Sequence, residues 1–286
     1  MLLPGYNQIR NCKEGWLIYN KNDVYIGKSI ALYGEFSDAE SVVFKQVIPE
    51  GGIVFDVGAN IGAHTVTFAK IVGRRGAVIA FEPQRLIYQT LCANVAINSL
   101  TNVYCLNQAV GAAAGDLLLP VFDPEITSNF GGVEAEGHQA GERVRVTTLD
   151  DCNVPSCAFI KIDVEGMELK VLQGARSLIA AHRPVLYVEN DRRDRSDDLV
   201  RFIDSLGYNL YWHEPILYNL NNYERNPTNV FGGIITRNML CLPKETAVEV
   251  PGSEKVIVPE MPSGSRAACA VPVEPALGRR RGTQLT

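Results

Sequence analysis

The sequence lacks any uninterrupted apolar run of the roughly 20 residues that a helix needs to cross a bilayer. Its first residues contain no long apolar segment of the kind found in signal peptides, so we expect a cytoplasmic protein with no membrane partner. None of the seven cysteines is spaced as Cys-x-x-Cys, and an odd number cannot pair completely. We therefore expect buried, reduced thiols rather than a disulfide framework.

An excess of positive charge is also missing. The 286 residues include 27 Lys and Arg against 32 Asp and Glu, which gives a formal net charge of −5. A protein that depends on neutralising many phosphates usually presents a strongly basic surface. We therefore expect no nucleic-acid partner.

The sequence does contain a regular alternation of short apolar runs and helical spacing from about residue 51 onward. Near-continuous apolar strands that alternate with helices are typical of a parallel sheet covered on both faces. We predict an α/β fold with a doubly wound, mostly parallel sheet. Two further apolar pieces predict an antiparallel edge hairpin, formed by residues 208–212 and 230–236. The parallel strands are expected at 53–57, 77–81, 103–106, 158–162 and 185–188, and helices at 64–72, 86–98 and 167–181.

Composition changes along the chain indicate the domain organisation. Residues 51–244 contain the alternating pattern and form the predicted domain, preceded by an N-terminal extension at 1–50. Turn residues and short β-like pieces interrupt the pattern at about 117–151, which indicates an insertion over the sheet. Prolines interrupt a segment with little pattern at 245–286, so we predict a disordered tail there.

The most informative segment is residues 56–62, Asp-Val-Gly-Ala-Asn-Ile-Gly, between a predicted strand and a predicted helix. Gly58 and Gly62 allow a sharp turn and a close approach to a ligand, and the helix behind them presents free N–H groups. Glu82 ends the next strand, 20 positions after Gly62, where an acid can accept hydrogen bonds from both ribose hydroxyls. The arrangement predicts a nucleoside-containing cofactor.

The same loop distinguishes between two cofactors. A dinucleotide-binding loop has the spacing Gly-x-Gly-x-x-Gly, and its second glycine leaves room for a pyrophosphate. Here Asn60 places a side chain near that space, and Asp56 favours an ammonium group over a pyrophosphate. S-adenosylmethionine, which has an ammonium and a carboxylate, therefore fits better than NAD(P). A purely structural glycine turn remains a further alternative.

At this point the sequence resembles the FkbM family of S-adenosylmethionine-dependent methyltransferases, over roughly residues 34–243. The stretches that support the resemblance are 55–62, 81–83, 107–111 and 159–168, the last followed by 171–175. The resemblance implies a Rossmann-like fold and methyl transfer, commonly to a hydroxyl oxygen of a sugar or natural product. With the loop argument, it places the cofactor contacts at Asp56, Gly58, Asn60, Gly62, Glu82, Asn107, Gln108 and Asp163.

An alcohol that accepts a methyl group must also lose a proton, so a base or a metal is expected. Asp163 and Glu165 follow the fourth predicted strand, and Glu189 follows the fifth, at the edge where α/β sheets bind ligands. Our hypothesis is that Asp163 or Glu165, with Glu189, orients and deprotonates the acceptor. The alternatives are loop capping by Asp163 and a helix N-terminal interaction of Glu165.

A divalent metal is an alternative that we do not favour, and no metal ligands are assigned. Asp163, Glu189 and Asn190 offer the oxygen donors that Mg²⁺ prefers. This set resembles the metal site of catechol-type O-methyltransferases, except that a glutamate replaces the usual aspartate. Unchanged activity after chelation is the outcome that we expect.

Acceptor-binding residues are predicted in two places. Asn129 and Phe130 belong to a Ser-Asn-Phe-Gly-Gly piece that could close over cofactor and acceptor, or make no contact. Trp212 and His213 belong to a polar and aromatic cluster suited to a sugar ring, with core packing or a surface turn as the alternative.

The predicted activity is methylation of a hydroxyl on a saccharide or secondary metabolite. The sequence has neither the [DN]-P-P-[YF] pattern of amino-methylating nucleic-acid enzymes nor the Pro-Cys pair of C5-pyrimidine methylation. A small-molecule or saccharide acceptor is therefore expected. An NAD(P)-linked oxidoreductase and an S-adenosylmethionine-binding protein without turnover are the alternatives, and the pattern does not indicate an oligomeric state.

Overall fold

A computed structural model describes residues 4–134, 137–246, 250 and 253–260. Among these residues, no helix is both long enough and apolar enough to span a membrane. The strands are β1 (Asn7–Cys12), β2 (Gly15–Asn20), β3 (Ile53–Val57), β4 (Ala77–Phe81), β5 (Val103–Leu106), β6 (Ala109–Val110), β7 (Gly115–Leu119), β8 (Glu142–Thr147), β9 (Phe159–Ile162), β10 (Val185–Glu189), β11 (Tyr208–His213) and β12 (Asn238–Pro243). The α-helices are α1 (Ile26–Tyr33), α2 (Asp38–Val47), α3 (Ala63–Val72), α4 (Arg85–Ile97), α5 (Glu168–Gln173), α6 (Arg176–His182) and α7 (Arg193–Ser205).

The central sheet has seven strands in the order β11-β12-β10-β9-β3-β4-β5. Five of them, from β10 to β5, are parallel, and β12 is antiparallel to both of its neighbours. Within this sheet the chain begins at β3 and continues outward to β5. It then returns to β9, on the other side of β3. This topology confirms the predicted doubly wound α/β fold and places a switch point between β3 and β9, where such sheets bind ligands.

The predicted edge hairpin is present, but its second strand was placed wrongly. β11 pairs with β12, which begins at Asn238, rather than with residues 230–236. Every residue of β12 is buried, whereas residues 232–235 are exposed. The β-branched pattern at 230–236 therefore belongs to the connection before the strand, and burial between β10 and β11 selects the segment that follows.

Both faces of the sheet are packed, and the alternation within each strand separates two cores. Phe55, Ile160 and Leu186 face a cluster that includes side chains of α5, α6 and α7. Their neighbours in sequence, among them Phe159 and Tyr187, face a second cluster that contains side chains of α2 and α3. Two covered faces explain why these strands are apolar at nearly every position.

The predicted helix at 167–181 is divided into α5 and α6 around Gly174. A Cβ at Gly174 would lie 2.1 Å from the carbonyl oxygen of Gly111, so the backbone there packs directly against the end of β6. The other predicted helices of the domain agree with α3 and α4 to within one residue at each end.

Residues 4–50 pack closely on the sheet domain. Phe44 of α2 is fully buried in the core beside α3. The side chain of Asn94 in α4 accepts a hydrogen bond from Ile18 N at 2.6 Å and donates one to Ile18 O at 2.9 Å, which ties β2 to the domain. The predicted extension therefore shares core contacts and hydrogen bonds with the sheet domain.

The insertion and the predicted tail both contain ordered pieces. β6, β7 and β8 form a separate three-stranded sheet, to which the predicted insertion contributes the end of β7 and the whole of β8. Residues 253–260 lie along β11, where Val256 N donates to Leu210 O at 2.9 Å and the Val256 side chain is buried. This part of the predicted tail has contacts that the sequence pattern does not indicate. Residues 261–286 lie outside the described residues.

Candidate active site

The carboxyl ends of the parallel strands open into a cavity of about 610 Å³. The strand order arranges four carboxylates of its wall in a row: Glu82 after β4, Asp56 in β3, Asp163 after β9 and Glu189 in β10. Adjacent strands lie about 4.8 Å apart, so β4 and β10 are separated by about 14 Å. The cavity therefore extends along the ends of at least four neighbouring strands.

The glycines of the loop after β3 are required by the protein's own packing. Gly58 has φ +81°, and a Cβ there would lie 1.8 Å from the carbonyl oxygen of Asp163. Gly62 has φ +85°, and its Cβ would lie 2.6 Å from Leu91 Cδ1. Gly58 also lines the cavity, whereas Gly62 does not. The loop is thus held tightly against β9 and α4, and the cavity wall includes its backbone.

Asp56 is the most buried carboxylate of the wall, with no exposed surface. Its Oδ2 accepts a hydrogen bond from Thr65 Oγ1 at 2.6 Å, while its Oδ1 is buried without a hydrogen-bond partner among the described residues. A buried carboxylate oxygen without a donor is costly, and a positively charged donor in the cavity would satisfy it. Asp56 is therefore suited to an ammonium group.

Glu82 is 4% exposed and closes the other side of the loop. Its Oε2 accepts a hydrogen bond from Asn60 N at 2.9 Å, and its Oε1 accepts one from Gln84 N at 2.8 Å. Burial raises the pKa of Glu82 from 4.5 to about 7, although both N–H groups act in the opposite direction. Each oxygen retains a lone pair for a hydroxyl donor.

The remaining predicted cofactor residues divide into two kinds. Asn60 and Gln108 line the cavity. Asn107 instead donates from its Nδ2 to the carbonyl oxygens of Glu82 and Pro83, each at 2.9 Å, and does not line the cavity. Its place in the structure is to hold the backbone that orients Glu82.

Three carboxylates meet where β9 and β10 end. Oxygen atoms of Asp163, Glu165 and Glu189 all lie within 4.8 Å of one another. Lys161 Nζ donates to Asp163 at 2.9 Å, and Arg192 donates to Glu165 at 2.8 Å. The hypothesis from the sequence placed these three acids together, and the structure brings them together; we call them the acid cluster.

The acid cluster has unusual electrostatics. Burial, reinforced by repulsion from Asp163, raises the pKa of Glu165 to about 7, although Arg192 lowers it. Burial and the charges of the neighbouring acids raise the pKa of Glu189 well above its ordinary value. Glu189 is therefore the member that retains a proton most readily, and Glu165 can exchange one near neutral pH.

Lys161 of β9 also lines the cavity, and the sequence analysis did not single it out. It is 4% exposed. Burial alone would lower the pKa of Lys161, but attraction from Asp163 and Asp56 raises it above its ordinary value. A charged ammonium group thus lies beside Asp163, and its hydrogen bond fixes the orientation of that carboxylate.

Glu165 has backbone strain that a surface residue rarely shows. Its φ is +53°, and the next residue, Gly166, has φ +97°. Such a conformation costs a side-chain-bearing residue roughly 1–2 kcal/mol. The turn directs the Glu165 carboxylate toward the acid cluster, and strain of this kind is concentrated at functional sites.

The predicted acceptor residues are not all placed at the cavity. Asn129 lines it, whereas Phe130 is buried in a cluster with Ile61 and Ile87. Trp212 lies under the guanidinium group of Arg237, 3.9 Å from ring centroid to Cζ, and it is Arg237 that lines the cavity.

His213 is also held away from the cavity. Its Nδ1 lies 2.7 Å from the hydroxyl group of Tyr187. Trp212 and His213 belong to β11, and β12 separates that strand from β10. The sequence argument missed this separation because it placed the second hairpin strand too early.

A buried network around Glu40 was also missed. Glu40 lies 3.0 Å from His64 Nε2 through one oxygen, and its other oxygen accepts hydrogen bonds from Tyr187 and Asn238, each at 3.0 Å. Burial opposes the charge, but the hydrogen bond and charge of His64 lower the pKa of Glu40 to about 2. His64 lines the cavity, so the N-terminal segment supports its wall. The available signal was an acid on the apolar side of α2.

The fold and the site together define a class of protein. A doubly wound parallel sheet, a glycine loop after its first strand and an acid after the second are the features of Rossmann-like proteins that bind nucleoside cofactors. Residues 56–210 match the family model described as "Methyltransferase FkbM domain". This is more than half of the chain, and the chain belongs to that family, as its motifs indicated.

Individual relatives match over part of their length. The chain is 28% identical over 161 residues to "Methyltransferase sdnD" of Sordaria araneosa, a match that covers 44% of this chain and 61% of that protein. It is 31% identical over 128 residues to "Hexuronic acid methyltransferase AglP" of Haloferax volcanii, covering 44% of this chain and 50% of that protein. The chain thus spans about half to three fifths of the length of these relatives.

A solved structure, "Methyltransferase FkbM" from Methylobacillus flagellatus, is 20% identical to this chain with a TM-score of 0.45. The superposition covers 71% of this chain and 50% of that chain.

Proposed function

We propose that this chain binds S-adenosylmethionine and transfers its methyl group to a hydroxyl oxygen of a saccharide or secondary metabolite. The observation on which the proposal rests is the pair of buried carboxylates, Asp56 and Glu82, on either side of the glycine loop. Membership of the FkbM family supports methyl transfer. The name of one relative, a hexuronic acid methyltransferase, supports a saccharide acceptor.

The residues present fit the proposed cofactor. Asp56 Oδ1 offers a buried acceptor to the α-ammonium group, and Glu82 offers lone pairs to the two ribose hydroxyls. The first turn of α3 presents N–H groups that suit a carboxylate. A dinucleotide would instead place its pyrophosphate near the negative charge of Asp56, which disfavours an NAD(P)-linked reaction.

When bound, S-adenosylmethionine supplies an electrophilic methyl group on a sulfonium. The chain must hold the acceptor oxygen in line with that methyl group and remove the hydroxyl proton. Asp163, whose side chain is the most exposed of the acid cluster, is suited to accept the hydrogen bond of the hydroxyl. Glu165, with its pKa of about 7, is suited to take up the proton near neutral pH. Lys161 and Arg192 hold these two carboxylates in place.

The acid cluster also has a spacing that a divalent cation could use, but its charges argue against one. Asp163 and Glu165 already have cationic partners, at 2.9 Å and 2.8 Å. A metal ion would have to compete with both. We expect methyl transfer to continue unchanged after chelation and dialysis, and activity restored only by Mg²⁺ would contradict this.

Two measurements test the proposed function. Calorimetric titration with S-adenosylmethionine should show stoichiometric binding, while NADH should show none. Release of S-adenosylhomocysteine should then be followed with a panel of hydroxyl acceptors that includes hexuronic acids, using a labelled methyl group. Binding without release in every case would favour a binding protein without turnover, and NADH binding alone would favour an oxidoreductase.

The affinity for S-adenosylmethionine should depend on pH. The pKa of Glu82 is raised to about 7 in the free protein, so the carboxylate becomes protonated as the pH falls through 7. Ribose hydroxyls donate hydrogen bonds to the ionised form, so binding favours ionisation and weakens at lower pH. From pH 7.0 to 5.5 the affinity should fall by about tenfold. Calorimetry in buffers of different ionisation enthalpy should detect proton release on binding. If the affinity does not change between pH 7.0 and 5.5, the ionisation of Glu82 is not linked to cofactor binding.

A further inference from the structure

The connection between β11 and β12 contains a short two-stranded ribbon. Residues 215–217 and 234–236 run antiparallel, with Ile216 opposite Ile235. Leu217 N donates to Ile234 O at 3.0 Å, and Thr236 N donates to Pro215 O at 3.2 Å. We call these six residues the ribbon. Its hydrogen bonds give it a defined shape at the mouth of the cavity.

The ribbon exposes an unusual amount of apolar surface. Ile216, Ile234 and Ile235 are 56%, 39% and 48% exposed. Leu217 is buried beside Tyr33, in a cluster of aromatic residues from the N-terminal segment, and anchors the ribbon. Neighbouring exposed isoleucines on an anchored ribbon have no role in the core of the protein, and such patches often mark binding surfaces.

The ribbon lies at the acceptor end of the cavity. Ile234, Ile235 and Leu217 line the same cavity as the acid cluster. The ribbon leads into β12, which is four strands from β4 in the sheet order, or about 19 Å. A nucleoside held by Glu82 at β4 is therefore on the opposite side of Asp163.

A second apolar wall faces the same space. Tyr25, Ile26 and Phe36 of the N-terminal segment also line the cavity. The acceptor end thus combines a polar acid cluster with apolar side chains from two separate parts of the chain. A free sugar, polar on every edge, would leave the exposed isoleucines in water, whereas an attached apolar group would cover them.

From these contacts we infer that the ribbon binds an apolar arm attached to the acceptor, so that the preferred acceptor is an amphipathic glycoside rather than a free sugar. This inference rests on the proposed function, because it takes the acid cluster as the place of the reacting hydroxyl. Ile234 and Ile235 are then specificity-determining residues: the methylated ring lies at the acid cluster, and its apolar substituent extends across them toward solvent.

Titration of the full chain with two matched probes tests the inference. The probes are n-octyl β-D-glucuronide, kept below the concentration at which it forms micelles, and methyl β-D-glucuronide. They share the polar ring and differ only in the arm. With the protein saturated with S-adenosylhomocysteine, the octyl compound should bind at least about tenfold more tightly, since burial of several methylene groups is worth more than that factor. Equal affinities, or no binding of either probe, would overturn the inference.

Variants then locate the arm. Ile235→Asn and Ile234→Asn should each remove most of the preference for the octyl probe without changing the affinity for the methyl probe. Ile126→Asn is the matched control, because Ile126 is 62% exposed and is not part of the cavity wall. Thermal unfolding of each variant verifies that it is folded. If the octyl preference survives in both ribbon variants as it does in the control, the arm binds elsewhere and the inference is wrong.

The ribbon variants also distinguish an apolar arm from other ligands of the ribbon, and further titrations separate this inference from the proposed function. The wild-type protein could show no octyl preference and instead dimerise or bind phosphatidylcholine vesicles. If Ile235→Asn abolishes that association, the ribbon binds a second copy or a membrane, and the inference is overturned. Repeating the probe titrations without S-adenosylhomocysteine shows whether the ribbon acts independently of cofactor. If the protein does not bind S-adenosylmethionine but still prefers the octyl probe, the proposed function is rejected and the apolar binding surface is not.

Discussion

Asp163→Asn is expected to slow methyl transfer by about 10²-fold or more, even when S-adenosylmethionine is saturating. The amide preserves the shape of the side chain but lacks the negative charge that draws the hydroxyl proton toward the acid cluster, where Glu165 takes it up. It also removes the charge that faces Lys161 Nζ at 2.9 Å, so this buried ammonium group loses its ion-pair partner. The measurement is the initial rate of S-adenosylhomocysteine formation at saturating cofactor and acceptor.

Asp116→Asn is the control for this substitution. Asp116 also forms an ion pair, with Arg143 at 3.5 Å, but it lies on the surface and away from the cavity. The control should retain full turnover. Because Lys161 is buried, the unfolding midpoint of Asp163→Asn must be measured beside the rate. A folded variant with near-normal turnover and cofactor affinity would remove Asp163 from the mechanism.

The sheet could be predicted from the sequence because its signals are local. The apolar runs of β3, β4 and β5 end at the predicted residues, since glycines or polar residues flank them. The common position of three carboxylates follows from the same information: once the strands are parallel, Glu82, Asp56 and Asp163 must lie at one edge.

The parts that could not be predicted depend on contacts between distant segments. Glu40 and Asn238 are 198 positions apart and meet only because α2 packs on β10 and β12. Leu217 of the ribbon likewise needs Tyr33, in the N-terminal segment, to anchor it. Local patterns contain no information on such pairs, so the N-terminal segment was interpreted as an extension and its part in the cavity wall was missed.

Trp212 was predicted to contact the acceptor, but its side chain does not line the cavity. The hypothesis from the sequence rested on the polar and aromatic cluster to which Trp212 belongs, because such a cluster suits a sugar ring. In the structure its ring supports Arg237, and the guanidinium group lines the cavity in its place. One strand inserted between β11 and β10 is enough to produce this difference.

Glu82→Gln is expected to weaken S-adenosylmethionine binding by about 10²-fold. The ionised carboxylate can accept hydrogen bonds from two ribose hydroxyls, and bonds to a charged acceptor contribute about 1.5–3 kcal/mol each. Glutamine has one oxygen, and its amide group would face either Asn60 N or Gln84 N, donor against donor. The variant therefore loses ribose contacts and also disturbs the loop that surrounds the cofactor.

Titration calorimetry at pH 7.5 measures the loss of affinity for S-adenosylmethionine. Glu50→Gln is the control, because Glu50 is exposed and forms an ion pair with Arg75 on the surface. The pH dependence separates the two causes of weakening. If Glu82 contacts the ribose in its ionised form, Glu82→Gln should bind with an affinity that no longer falls between pH 7.0 and 5.5. A variant that binds weakly but keeps the full pH dependence would place the titrating group elsewhere, with Glu165 as the next candidate because its pKa is also about 7. Undiminished affinity in a folded Glu82→Gln protein would reject the ribose contact, and with it the proposed orientation of the cofactor along the sheet edge.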